Sequence, residues 1–376
     1  MTMTSSKLKS LVFSDVHLYH DKTKTEHITN NLVRALPDNG TLSDVDIIFI
    51  SGDLFDHSVA MSNKNLYFVV NFIYHLLRMC VKYDIVLRVL EGTPSHDWKQ
   101  SKLIIDINDN LPVPCDVKHV TVLSIEHIDK FGIDVLYVPD EWGTGCADTF
   151  NEVKVLLAER NIEKVHLSIM HGCFNYQFPV NLVGKPDVHD ERSYLDITIF
   201  LIIIGHYHTP SIFERIYVPG SFDRLKHGEE EAKGHLEFTI HDTGAYDVKF
   251  IENKRSMIYK TLDFSKLDMS EVVSRLRDYL GASTDECFIR VLANKEDVVY
   301  GAMSDLKRAF PNVNFSISLK DKAKDKMVSE SKEIKRPSSL TSLNILELMQ
   351  ARLIDKHPGM AQDCINILRG VMDGEQ

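Results

Sequence analysis

The sequence predicts a layered α/β fold with helices laid over sheet faces, and three features point to it. Apolar, β-branched runs of strand length alternate with longer amphipathic stretches as far as residue 205. Five of the six runs end in a glycine or a polar residue and the sixth in Pro139, the usual marks of a buried strand meeting its loop. After Gly220 the alternation gives way to a hairpin-like pair of strands and then to a short βαβαβ-like pattern.

The strand-like runs are residues 8–15, 45–53, 85–92, 133–139, 164–171 and 197–205. Amphipathic candidates between them include 65–82, which either packs on the sheet or forms part of a homodimer contact, and 150–160. Residues 235–241 and 246–252 read as a meander hairpin closing the first domain, 1–255. A second unit, 256–319, reads as strand 257–264, helix 270–280, strand 286–292, helix 299–310 and strand 312–319. A unit that small is marginal alone and is expected to dock on its neighbour. Residues 320–339 are charged, Ser-rich and carry excess Lys, the composition of a linker. Beyond it, 340–354 and 360–372 carry apolar residues at helical spacing around a Pro358-Gly359 break, so 340–376 reads as a helical segment seeking an external groove.

Composition narrows the function. A chain of 376 residues with 44% hydrophobic content can bury more than one core. Its net charge of −11 gives no overall positive field, so any nucleic-acid binding must use local basic patches or a partner. The six cysteines are scattered without a CxxC pair, which points to reduced thiols rather than disulfides or structural zinc. Residues 1–10 lack the apolar core of a signal peptide, and the longest apolar run, 197–204, is far too short to span a bilayer. A soluble, cytoplasmic protein is expected, with no membrane partner.

Five polar clusters follow the strand-like runs in order: Asp15-Val16-His17, Gly52-Asp53-Leu54-Phe55-Asp56, Ser95-His96-Asp97, Met170-His171-Gly172 and Gly205-His206-Tyr207-His208. Side chains at neighbouring strand exits converge on the edge where open α/β sheets bind ligands. Asp and His without Cys form a nitrogen/oxygen ligand set suited to Mn²⁺, Fe²⁺ or Zn²⁺. The set is large enough for two divalent ions, an arrangement that hydrolyses phosphate esters by clamping the attacking and leaving oxygens.

In that order the clusters resemble the calcineurin-like metallophosphoesterase pattern D-x-H, G-D-x-x-D, G-N-H-D, a lone H and G-H-x-H. The GDLFD form, followed by a small α/β unit, a charged linker and terminal helices, is similar to the SbcD-type nuclease subunits of recombination and repair. The motif resemblance covers residues 15–224; beyond them only the order of domains matches. It implies a two-sheet sandwich flanked by helices, with 256–319 as a DNA-binding cap. Asp15, His17, Asp53 and His208 would hold one ion, and Asp53, His171 and His206 a second, most simply both Mn²⁺. The implied reaction is phosphodiester hydrolysis of DNA by metal-activated water. The implied partner is an SbcC-like SMC-family ATPase docked on the terminal helices.

One cluster departs from the pattern. Where G-N-H-D is expected the chain has Glu91-Gly92-Thr93-Pro94-Ser95-His96-Asp97. Ser95 then takes the place of the amide ligand, or Thr93 does, because the loop has gained two residues; a degenerate, inactive site is the remaining alternative. By the resemblance His96 is the non-ligand histidine beside the scissile phosphate, acting on the leaving oxygen, with Asp97 fixing its tautomer. Asp56 either supports a ligand or caps a helix near Ser58. Arg224, after the Gly220-Ser221 turn, either reaches a phosphate or makes a structural salt bridge. The segment 174–196 borders the site in the family and either shapes substrate access or is a passive loop.

Overall fold

The inner strands are buried on both faces: Ile47–Ser51 at all five positions, Val165–His171 at all seven. Strands of that kind need a layer on each side, and the computed structural model supplies it. It describes residues 7–60, 62–140, 145–179, 186–281 and 286–320. Nearly all of the charged linker, and the terminal segment 340–376, lie outside the described residues.

The first sheet contains β1 (Lys7–Phe13), β2 (Ile47–Ser51), β3 (Val86–Leu90) and β4 (Val117–Val120), all parallel. The second contains β5 (Ser124–Ile128), β6 (Ile133–Val138), β7 (Val165–His171), β8 (Thr198–Gly205), β9 (Ser211–Phe213) and β10 (Ile216–Val218), in the order β5-β6-β7-β8-β10-β9. The hairpin β11 (Gly234–His241) and β12 (Tyr246–Glu252) then returns to the first sheet, where β11 pairs antiparallel with β1 and gives the order β12-β11-β1-β2-β3-β4. The hairpin therefore widens the first sheet as well as ending the domain.

Alternate residues of each strand divide between two cores. Leu8, Val12 and Phe49 pack with Val135, Leu167 and Ile203 between the two sheets. Leu11, Phe13 and Ile48 instead face α1 (Thr25–Ala35), α2 (Leu66–Tyr83) and α4 (Lys102–Asn108), which follows the short α3 (Pro94–Asp97). On the far side, α5 (Cys146–Glu159) and α6 (Glu191–Ile197) cover Leu136, Met170 and Ile204. The result is an α/β sandwich of two mixed six-stranded sheets flanked by helices. The apolar stripe of α2, including Val69, Phe72, Ile73 and Leu76, is spent on this packing.

Part of 174–196 is regular structure rather than loop. It holds a 3₁₀ turn at Asn175–Gln177 and all but the last residue of α6, whose first turn is capped by Asp190 accepting from the Ser193 amide at 2.9 Å.

The small unit is a parallel sheet of β13 (Ile258–Asp263), β14 (Cys287–Ala293) and β15 (Val313–Leu319), packed on one face by α7 (Met269–Leu280), α8 (Val298–Gly301) and α9 (Met303–Ala309). With only one face covered, β14 shows period-two burial. The predicted single helix over 299–310 is divided at Ala302, the C-cap of α8. The seam with the first unit is dense. Tyr259 Oη lies 3.0 Å from Thr23 Oγ1, and Lys24 Nζ lies 2.6 Å from Glu286. The fully buried Asp223 carboxylate accepts from the Met257 amide at 2.6 Å and from Asn31 Nδ2 at 2.9 Å. Among the described residues no helix is long and apolar enough to cross a membrane.

Candidate metal centre

The exits of β1, β2 and β3 meet the exits of β7 and β8, and the backbone there is unusually tight. Asp15, His17, Asp53 and His206 all have positive φ, of 47°, 53°, 49° and 99°. Left-handed backbone is costly for residues with a Cβ and clusters at functional sites. Parallel-strand hydrogen bonding continues past the strand ends and holds these turns: the His17 amide donates to the Asp53 carbonyl at 3.0 Å, and the Leu18 amide to the Leu54 carbonyl at 2.9 Å. Two glycines permit the approach. A Cβ on Gly52 would stand 2.1 Å from His171 Nδ1, and one on Gly92 would stand 2.1 Å from the Asp53 amide nitrogen.

The first pocket gathers Asp15, His17 and His208, whose ligand atoms lie within 4.8 Å of one another. His17 Nδ1 donates to Asp56 Oδ1 at 3.0 Å, and His208 Nδ1 to Glu229 Oε1 at 2.9 Å. With both Nδ1 atoms held by carboxylates, the two Nε2 atoms face each other at 3.1 Å, a separation that requires either a proton shared between them or a cation against both. Asp15 Oδ1 and Asp53 Oδ2 stand 3.8 Å from His208 Nε2 and His17 Nε2 respectively. Asp15 is itself aimed by the His206 amide, which donates to its Oδ1 at 2.9 Å.

The second pocket gathers Asp53, His171 and His206. His171 Nδ1 donates to the Ser51 carbonyl at 2.8 Å, which leaves Nε2 to face Asp53 Oδ1 at 3.3 Å. The Thr93 amide donates to Asp53 Oδ1 at 2.6 Å, and Thr93 Oγ1 lies 3.4 Å from His171 Nε2 and 3.3 Å from His206 Nδ1. Of the two residues left open by sequence, the structure brings Thr93 into the pocket and not Ser95. Ser95 is exposed within α3, and its carbonyl accepts from Trp98 Nε1 at 2.9 Å. Pro94 starts that helix, so Thr93 occupies the extended N-cap position at the strand exit and Ser95 turns with the helix.

His96 Nδ1 donates to the Asp56 carbonyl at 2.6 Å. Its ring stands edge-on to His17 at 5.0 Å, and His17, Asp53 and His96 form a third group that could hold an ion. Asp97 does not touch this ring, contrary to the tautomer-fixing role expected of it. Its carboxylate is fully buried and accepts from the Phe55 amide at 2.9 Å and the Gly92 amide at 2.7 Å, clamping the second cluster to the third. Arg224 does not reach the centre either. Its guanidinium donates to the Glu231 carbonyl at 2.8 Å and the Met257 carbonyl at 3.4 Å, fastening the seam to the small unit. Asp56 acts through His17 and His96, and no helix begins at Ser58; α2 starts at Leu66. Glu229, buried at 4% exposure, was missed because it sits in an acidic run that reads as solvated surface.

Electrostatics favour cations here. Burial would raise the Asp53 pKa, but the His171 and His17 rings hold it far below the carboxylate range. Burial likewise opposes charge on His171, yet Asp53 outweighs it and raises that ring to about 10. Glu229 is held at about 2 against its burial, chiefly by His208 and Lys233. Asp97 moves the other way, to about 7, through burial and the nearby Asp53 charge. The carboxylates thus stay ionised by drawing positive charge onto the rings, and divalent ions would replace those protons.

No family model matches the chain, and no curated protein matches it. Solved structures do match; one of them, a crystal structure, is similar at 13% identity, covering 65% of this chain and 100% of its own, with a TM-score of 0.36.

Proposed function

We propose that the chain is a metal-dependent phosphodiesterase of the calcineurin-like metallophosphoesterase type, acting as an SbcD-like DNA nuclease subunit. The observation that carries this reading is the placement of Asp53. It belongs both to the ligand group with His171 and His206 and to the group with His17 and His96. Asp15, His17, Asp53 and His208 would hold one divalent ion, and Asp53, His171, His206 and Thr93 the other. Ions held there supply Lewis acidity toward a phosphoryl group and make water nucleophilic near neutral pH. The nitrogen/oxygen set suits Mn²⁺ and also accepts Fe²⁺ or Zn²⁺.

The chain's own contribution is orientation and proton handling. Asp56 and Glu229 fix the ring planes of His17 and His208. His96 Nδ1–H is held by the Asp56 carbonyl, which leaves Nε2 open, so a proton taken up at Nε2 can be passed to the leaving oxygen.

DNA as substrate is supported by the order of domains along the chain. The overall charge of −11 suits a subunit that shares DNA with a partner, here an SMC-like ATPase docked by residues 340–376.

The test is Mn²⁺-dependent cleavage of linear duplex DNA, single-stranded DNA and a small generic phosphodiester by the purified chain. DNA cleavage that EDTA abolishes supports the reading. Cleavage of the small diester alone contradicts the DNA assignment and favours a stand-alone phosphoesterase. A chain ending at residue 339 should keep basal cleavage and lose co-purification with the ATPase; full retention would place that interface elsewhere.

A further inference from the structure

On the helical side of the first sheet, where α1 ends and the β11–β12 hairpin is left uncovered, lies a cleft of about 380 Å³. That volume is in the range of small-molecule sites, roughly 300–1,000 Å³. Its floor is apolar: Leu11, Leu42, Val45 and Phe222 are all buried there. His235 also lines it and lies flat on Phe13, with ring centroids 4.6 Å apart and planes 20° apart.

His235 is the unusual element. It is 95% buried by its 5% exposure, and no described group hydrogen-bonds its ring nitrogens. Its nitrogens are not among the buried, unpartnered polar atoms of the described residues, so they open into the cleft. Burial lowers its pKa to about 4, so the ring is neutral and offers one donor and one acceptor.

The rim carries opposite chemistry. Arg34, Lys254 and Arg255 border the cleft, all exposed, and no described carboxylate pairs with any of them. Arg34 makes one hydrogen bond, to Asn31 Oδ1 at 3.2 Å. Two acids also line the cleft: Glu237, which pairs with Lys9 at 3.2 Å, and Glu252. An apolar floor, one neutral donor–acceptor pair and an unpaired cationic edge fit a planar heterocycle bearing a phosphate.

We propose that this cleft, walled by His235, Phe222, Arg34 and Arg255, is a binding site for a nucleoside monophosphate, separate from the metal centre. The base lies on the apolar floor with its polar edge at His235, and the phosphate lies between Arg34 and Arg255. A fatty acid would leave His235 unsatisfied, and inorganic phosphate would leave the floor uncovered.

The experiment is calorimetric titration of the full chain with dAMP, deoxyadenosine and inorganic phosphate in EDTA, so that ions in the metal centre play no part. The expected result is saturable binding of one dAMP per chain, with both fragments much weaker. Arg34→Gln combined with Arg255→Gln should weaken dAMP by about tenfold or more, through loss of charge-assisted contacts, with an unchanged melting temperature because both side chains are exposed. Asp53→Asn should leave dAMP binding intact. The proposal is overturned if dAMP does not bind, if phosphate alone binds as well, if the double variant binds normally, or if Asp53→Asn abolishes binding. Because no metal is present, these outcomes are independent of whether the metal centre cleaves DNA.

Discussion

The two ligand pockets use the same residue types but rest on different supports. In the first, His17 and His208 each lean on a carboxylate, Asp56 and Glu229. In the second, His171 leans on the neutral Ser51 carbonyl, and His206 is exposed and lies beside the Thr93 hydroxyl. A carboxylate behind an imidazole fixes its tautomer and raises its basicity, so the first pocket should bind its ion more tightly. The atoms behind the rings add to the difference between the two ligand sets, Thr93 standing in the second where Asp15 stands in the first.

The largest effect should come from the residue the pockets share. Asp53→Asn removes the negative charge that would lie between the two proposed cations and should abolish Mn²⁺-dependent cleavage with little change in melting temperature, since the amide is isosteric. Most of the activity surviving would contradict a shared bridge.

Next in size, His96→Ala should retain bound metal yet cut DNA about 10²–10⁴-fold more slowly, the usual contribution of a general acid. His206→Ala should instead lose the second ion. Equal metal loss in the two variants would make His96 a ligand.

The supports sharpen the contrast further. Glu229→Gln or Asp56→Asn should weaken the tighter ion by about 10–100-fold and leave the weaker one nearly unchanged, which a Mn²⁺ titration followed by electron paramagnetic resonance can resolve. The same loss at both ions would mean that these carboxylates hold the fold and do not tune one pocket.

The smallest effect separates Thr93 from Ser95. Thr93→Val keeps the shape and removes the hydroxyl, so it should loosen the weaker ion, whereas Ser95→Ala should match the wild type. The reverse pattern would return Ser95 to the site.

The strand exits and the Asp and His residues they gather were legible because strands buried on both faces are near-continuous apolar runs, and the polar residues at or just past the end of each run meet at one edge. Of the two supporting carboxylates, Asp56 was legible as one of two readings because it lies in the same cluster as Asp53, whereas Glu229 was not. Glu229 lies 21 residues beyond His208 in an acidic run, and only the fold buries it. Asp97 follows His96 directly, which suggested that it held that ring, but its carboxylate is drawn to the amides of Phe55 and Gly92. Ser95 aligned with the expected amide until Pro94 began a helix and rotated it outward. Short strands such as β9 and β10, three residues each, carry too few positions to show a period.

The most direct test is the number and affinity of Mn²⁺ ions bound per chain, measured on the wild type beside Asp53→Asn and Glu229→Gln. Two ions of unequal affinity are expected, the tighter one weakened by Glu229→Gln and the pair lost with Asp53→Asn. A chain that binds no Mn²⁺, or a single ion indifferent to Asp53→Asn, would contradict it.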